Sequence, residues 1–293
     1  VFSTLQPAEQ WSNRPIKRVY NPEDSNAKQL NGHSWQIRYG DMSGANGRVY
    51  IEKISIGDLT VQEQAIGAAT SVTENFIRDT VNDGLLGLAF SQLNTIIPKV
   101  QSTWFENVRP QLAEPLFTCA LKRRAVGTYD FGYIDKGKYT GDIIWTPIKG
   151  VKGFWDLETT AFKVGDGPVM EFNVSAVVDT AASLWLMPKE VTDAYWEKVE
   201  DASYSQAQAG WVFPCRNILP DISLKIADGM ITVPGINMNY QQISITTCFG
   251  GLQRNDHMPF SIFGDIFLKG LFVIFEAKND SVPRLGFAHQ SRP

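Results

Sequence analysis

Long apolar runs, paired histidines and an excess of basic charge are all missing from this sequence, and each absence removes a class of function. No uninterrupted apolar stretch approaches the roughly 18–20 residues of a membrane-spanning helix, so no membrane partner is expected. The three histidines, His33, His257 and His289, are scattered without metal-ligand spacing, and neither a metal nor another cofactor is expected. Lys and Arg number 27 against 31 Asp and Glu, a net charge of −4. The longest basic stretch, Lys122-Arg123-Arg124, reads as a solvated loop, so nucleic acid is not an expected partner. There is no serine nucleophile elbow and no phosphate-cradling glycine loop. Three cysteines are too few for a disulfide scaffold. Cys119, inside the apolar run PLFTCAL, reads as a small buried hydrophobe, whereas Cys215 and Cys248 could pair. No signal peptide is visible and the chain opens on Val1, so its N-terminus is expected to arise from processing or trimming.

What is present is ordinary globular composition, 43% apolar and 20% charged, over 293 residues, enough for two packed domains. SWQIRYG, GRVYIEKISIG, EPLFTCALK, TYDFGYI and GDIIWTPI are short, rich in β-branched and aromatic residues, and bounded by Gly, Asp or Pro. Such segments at intervals of about 8–12 residues predict sandwich or barrel architecture. Helical patterns are few. Lys189 to Val199 places Val191, Tyr195 and Val199 four apart behind Pro188, and Ser102 to Leu112 is a weaker candidate. An apolar-apolar-Gly element occurs twice, as Leu85-Leu86-Gly87-Leu88 and as Ile262-Phe263-Gly264-Asp265. The echo suggests a duplication, with β lobes expected at 1–136 and 137–293. An Asp-Thr pair, Asp179-Thr180, precedes the second element and none precedes the first. Asp179 lies between apolar runs, where burial favours the protonated acid unless hydrogen bonds hold the anion.

The order and wording of these blocks resemble the pepsin-like aspartic proteases, in particular the fungal penicillopepsin and aspergillopepsin branch. WQIRYGDMSG looks like the flap hairpin that closes over substrate, NDGLLGLAF like the element under the first active-site loop, and VVDTAASLWLMP like the second catalytic loop. WVFPCRNILPDISLKI and TTCFGGLQ look like the disulfide-bearing region, and FSIFGDIFLKGLFVIFEAKN with RLGFA like the C-terminal strands. The resemblance implies an all-β, bilobal fold with a central cleft. It assigns Asp179 as a catalytic aspartate and Thr180 as the hydroxyl residue that ties two catalytic loops together. It places Tyr39, Gly40, Asp41, Phe76, Ala181 and Ala182 at the substrate, with Asp41 favouring a basic substrate residue, and pairs Cys215 with Cys248.

The family's chemistry uses two carboxylates close enough to share one proton: the anion takes a proton from water while the acid donates to the scissile carbonyl. Val1-Phe2-Ser3-Thr4 resembles the text just after the first catalytic loop, so the first aspartate and its strands are expected upstream of residue 1 and the first lobe is expected to be incomplete. The second loop reads Asp179-Thr180-Ala181-Ala182 where the family has Asp-Thr-Gly and a hydroxyl residue, and Met42 stands where fungal relatives often carry Gly. The expected function is therefore a pseudoprotease whose cleft binds a peptide or small-molecule ligand. The alternatives are an active secreted acid endopeptidase, and an enzyme using Asp179 as a lone acid or base on a small molecule. Leu85, Leu86 and Leu88 read as core. A separate N-terminal peptide, a second copy or a repacked lobe is expected to cover them. Of two glycosylation sequons, Asn173-Val174-Ser175 lies close to the catalytic strand and is expected to stay bare, while Asn279-Asp280-Ser281 is the better acceptor. The family and the disulfide point to an extracellular or vacuolar location.

Overall fold

Segments rich in β-branched and aromatic residues become strands throughout this computed structural model, which describes residues 1–15, 18–149, 153–256, 258–278 and 282–291. His257 and the sequon at Asn279 lie outside the described residues. The chain divides into two units, Val1–Gln111 and Leu112–Pro293.

In the first unit β1 (Lys28–Arg38), β2 (Gly44–Ile56), β3 (Leu59–Val72) and β4 (Ile96–Ile97) form an antiparallel sheet in the order β3-β2-β1-β4. The β2–β3 ladder ends at Ile56 opposite Leu59, across a turn where Gly57 takes a φ of +56° that only glycine adopts cheaply. Two short helices follow, α1 (Glu74–Arg78) and α2 (Trp104–Val108). The hydroxyl of Thr103 caps α2 by accepting the Glu106 N–H, and the helix buries Trp104, Phe105 and Val108. The weak helical signal over 102–112 thus resolves into α2 and a single 3-10 turn, Arg109–Gln111, where Pro110 has no N–H to extend the helix. Leu85 and Leu86 lie in irregular chain, 54% and 49% exposed, so among the described residues this unit has not repacked around them.

The second unit holds three sheets. β5 (Leu116–Ala120), β6 (Thr128–Phe131), β7 (Tyr139–Pro147), β19 (Leu271–Glu276) and β20 (Arg284–Gln290) pair in the order β6-β5-β19-β20-β7. Phe117 stands opposite Phe275 in this sheet, and the two rings stack at 4.5 Å. That pairing joins β5 and β6 to the C-terminal strands, so the boundary expected at residue 136 falls inside the second unit. A seven-stranded sheet comprises β8 (Asp156–Val164), β9 (Val169–Val178), β10 (Trp185–Met187), β13 (Ile222–Ile226), β14 (Gly229–Val233), β17 (Leu252–Arg254) and β18 (Ser261–Phe263), ordered β14-β13-β8-β9-β18-β10-β17. A smaller sheet holds β11 (Ser203–Ser205), β12 (Gly210–Pro214), β15 (Asn239–Gln242) and β16 (Thr247–Gly250).

Of the two helices here, α3 (Lys189–Trp196) starts behind Pro188 and buries Val191 and Tyr195, as the four-residue spacing predicts. It stops short of Val199 as an α-helix; the chain finishes in tighter turns, with Val199 N–H donating to the Trp196 carbonyl at 3.0 Å. The second, α4 (Asp265–Leu268), follows β18 directly. Fully buried Trp185, Phe263 and Phe267 pack edge-on or tilted with centroids 4.5 to 5.6 Å apart. Each such side chain contributes about 1.5–3 kcal/mol by burial, which anchors β10, β18 and α4 in the core. No helix among the described residues is long and apolar enough to cross a membrane.

Candidate active site

Parallel pairing of β9 with β18 sets the geometry around Asp179. Ile262 stands opposite Val177 and Phe263 opposite Val178, so β9 delivers Asp179 at the end of a buried ladder. After a short loop the chain returns as β10, antiparallel to the other edge of β18, with Trp185 opposite Phe263. The two strands flanking the loop therefore clasp β18 between them. Asp179 N–H donates to the Phe263 carbonyl at 3.2 Å, Asp265 N–H to the Ala182 carbonyl at 2.8 Å, and Ile266 N–H to the Ser183 carbonyl at 3.2 Å. Gly264 is required at the crossing: a Cβ there would lie 2.4 Å from the carbonyl oxygens of both Ala182 and Leu184.

The Asp179 carboxylate is half-buried, and its Oδ1 accepts the Ala181 N–H at 2.9 Å. Ala181 is exposed and Ala182 half-buried; neither carries a hydroxyl to donate. Burial raises the Tyr129 pKa, and the Thr180 hydroxyl works against that rise, while Cys119, Asp265 and Asp179 nearby add to it. Tyr129 carries no signal in the sequence that would place it here; it arrives because β6 pairs with β5, Tyr129 opposite Cys119. Gly264 was visible as the glycine of the repeated element, though not its close approach to the loop. Such a loop can present one carboxylate as a proton acceptor or donor to a ligand.

In the first unit the β1–β2 hairpin carries Tyr39, Gly40 and Asp41. Tyr39 N–H donates to the Ser43 carbonyl at 2.8 Å, and Met42 N–H to the Tyr39 carbonyl at 3.1 Å. Asp41 Oδ1 accepts both the Ser43 N–H at 2.9 Å and the Ser43 hydroxyl at 2.6 Å. The hydroxyl bond foremost, then the N–H, holds the Asp41 carboxyl below the usual carboxylate range, so the exposed hairpin tip keeps its negative charge in mild acid. Tyr39 is half-buried with its ring edge-on to Phe76 of α1 at 5.8 Å; burial first, then the Asp41 charge, pushes its phenol up. The hairpin thus joins Tyr39, Asp41 and Phe76 in one assembly. Met42 takes a φ of +70°, in the left-handed region that favours glycine. A groove of about 340 Å³ beside the hairpin is lined by Ile37, Arg38, Met42, Gly44, Val72 and Thr73 among others.

Residues 6–290 match the family model described as eukaryotic aspartyl protease. The chain belongs to the eukaryotic aspartyl protease family. Aspartic protease pepA of Leptosphaeria maculans is 47% identical over 293 residues, spanning 99% of this chain and 70% of the relative. Aspergillopepsin-1 of Aspergillus oryzae is 43% identical over 99% of this chain and 73% of its own, and penicillopepsin-1 of Penicillium rubens 42% identical over 99% and 72%. Among solved structures, an aspartic proteinase from Irpex lacteus superposes with a TM-score of 0.78 at 19% identity, covering 93% of this chain and 84% of that one, which supports the fold. The aspartyl protease fold is thus all-β here, with the expected Cys215–Cys248 bond formed at a Cα separation of 5.0 Å and Cys119 buried as a free thiol.

Proposed function

We propose that this aspartyl protease homologue is a secreted, peptide-binding protein in which peptide cleavage is weak or absent. One observation carries the reading. On the Asp179 side, the carboxylate is held by its own loop through the Ala181 N–H, and Ala182 offers a methyl group where a donor hydroxyl would steady the anion. Loss of one preorganised donor to a reacting oxygen typically costs about 2.7–4 kcal/mol, or 10²–10³ in turnover. Ligand binding draws on the hairpin instead, whose Tyr39–Phe76 contact and anionic Asp41 suit an extended peptide with a basic residue. The disulfide supports an oxidising, extracellular or vacuolar setting.

A second reading, a competent acid endopeptidase, is favoured by the intact hairpin geometry. The natural protein, incubated with a basic-residue peptide library near pH 4, separates the two. Retention of peptide without new termini supports the binding reading, and rapid cleavage blocked by a statine-type peptide supports the enzyme. An outcome with neither retention nor cleavage of any peptide sinks both.

A further inference from the structure

The sequon Asn173-Val174-Ser175 lies close to the catalytic strand and is expected from sequence to stay bare. Its place in the sheet points the other way. Side chains alternate along β9: Val174 is buried at 5% exposure, while Asn173 and Ser175 are both exposed on the opposite face. The strand also has an open side at this point. β8 pairs with β9 over its whole length, with an irregularity opposite 172–173, between the Thr159–Val174 and Ala161–Glu171 pairs. β18 joins only from Ala176 onward. Among the described residues, no strand pairs with the other edge of 169–175, and the Asn173 amide makes no hydrogen bond to a described group.

We infer that Asn173 is an N-glycosylation site. The acceptor amide and the Ser175 hydroxyl stand on one face, two positions apart, as the acceptor motif requires. The donor is a lipid-linked oligosaccharyl diphosphate. The Asn173 amide nitrogen forms a bond to the anomeric carbon, the bond from that carbon to the phosphate oxygen breaks, and the lipid diphosphate leaves while the amide gives up one proton. No hydrogen bond to a described group is lost, because the Asn173 side chain makes none. The sugar stands over the open edge of β9 and shields its unpaired backbone groups from strand addition. The opposite face of the same strand, which carries Val174, Ala176 and Val178 toward Asp179, is buried and untouched.

The inference rests on the secreted reading, and the experiment separates the two. The chain is expressed behind a secretion leader in a eukaryotic host and recovered from the medium. It is then treated in heavy-oxygen water with a peptide N-glycosidase, an amidase that hydrolyses the side-chain amide of a sugar-bearing Asn to Asp. Peptide mapping is expected to show the heavy label on most copies of Asn173, and to lose it in both Asn173→Gln and Ser175→Ala. The second variant leaves Asn173 in place, so poor folding of the first does not decide the matter. An unlabelled Asn173 in the secreted wild-type chain overturns the proposal, whether or not Asn279 is labelled. Because the leader forces the route, the natural location is tested apart from it, by assaying culture medium and cells of the source organism for the protein.

Discussion

Replacing Gly264 by alanine should break the clasp around β18, and Gly87 supplies its control from the same repeated element. A Cβ at 264 would meet the Ala182 and Leu184 carbonyl oxygens at 2.4 Å and the Ala182 carbonyl carbon at 2.9 Å. All three are backbone atoms, so no rotamer change relieves the overlap. Reaching an ordinary contact of about 3.5 Å means moving the loop from β18 by about 1 Å. The Asp265–Ala182 and Ile266–Ser183 hydrogen bonds, at 2.8 and 3.2 Å, resist that shift. Overpacking of this kind costs about 1–3 kcal/mol. At about 2–4 °C per kcal/mol for a unit of this size, Tm should fall by roughly 2–12 °C. At Gly87 a Cβ meets nothing within 4 Å and φ lies outside the left-handed region. Gly87→Ala should therefore leave stability unchanged, or raise it by about 0.4–1 kcal/mol through the unfolded chain. Thermal unfolding followed by near-ultraviolet circular dichroism on the 293-residue chain reads both. Equal melting of Gly264→Ala and wild type, or an equal fall for Gly87→Ala, would refute the reasoning.

Three further outcomes follow from particular residues. Met42→Gly should raise stability by up to about 1 kcal/mol, since the left-handed conformation costs an ordinary residue about 1–2 kcal/mol and glycine's extra chain entropy returns about 0.5–1 of it; a destabilised variant in a denaturant titration would show that the Met42 side chain, rather than its backbone, holds the turn. Burial works to raise the Glu276 carboxyl, but its bonds with Arg284 and then Lys278 outweigh burial and leave it below the usual carboxylate range. A depressed carboxylate contributes stability that is present above its unfolded pKa and is lost as pH falls through the folded value. The second unit should therefore lose Tm more steeply with acidification below about pH 4.3, the usual glutamate pKa, than the Glu276→Gln variant does; parallel curves would remove Glu276 from the account. The Cys119 thiol, fully buried on β5, is pushed far up by burial and then by Asp265, so it should resist alkylation in the native protein near neutral pH and react only on unfolding. Rapid native labelling would show that β5 opens to solvent.

The strand content was legible because β-branched and aromatic segments bounded by turn residues have few other stable outcomes; β1, β2, β5 and β7 fall on the segments marked from composition. Helix α3 was legible from the Val191–Tyr195 spacing behind Pro188. The unit boundary was not, because it depends on β5 pairing with β19 more than 150 residues away, as Phe117 with Phe275, and no local pattern reports such a partner. At the site, Asp179 and the hairpin tyrosine were marked by the words around them. Tyr129 was invisible for the same reason as the boundary, since only the β5–β6 register brings it to Thr180. The cost hidden in Met42 appears only once φ is known. Leu85 and Leu86 share their pattern with Ile262 and Phe263, but only the latter pair lies between two strands of this chain.

The account's central claim is that the Asp179 loop is short of a donor for turnover while peptide binding persists. The most direct measurement compares Ala182→Ser with wild type on a basic-residue peptide near pH 4, recording both retained peptide and new termini. The account predicts equal retention by the two proteins and weak or no cleavage by the wild type, with any cleavage raised about 10²–10³-fold by the restored hydroxyl. Efficient wild-type cleavage that Ala182→Ser leaves unchanged would contradict it.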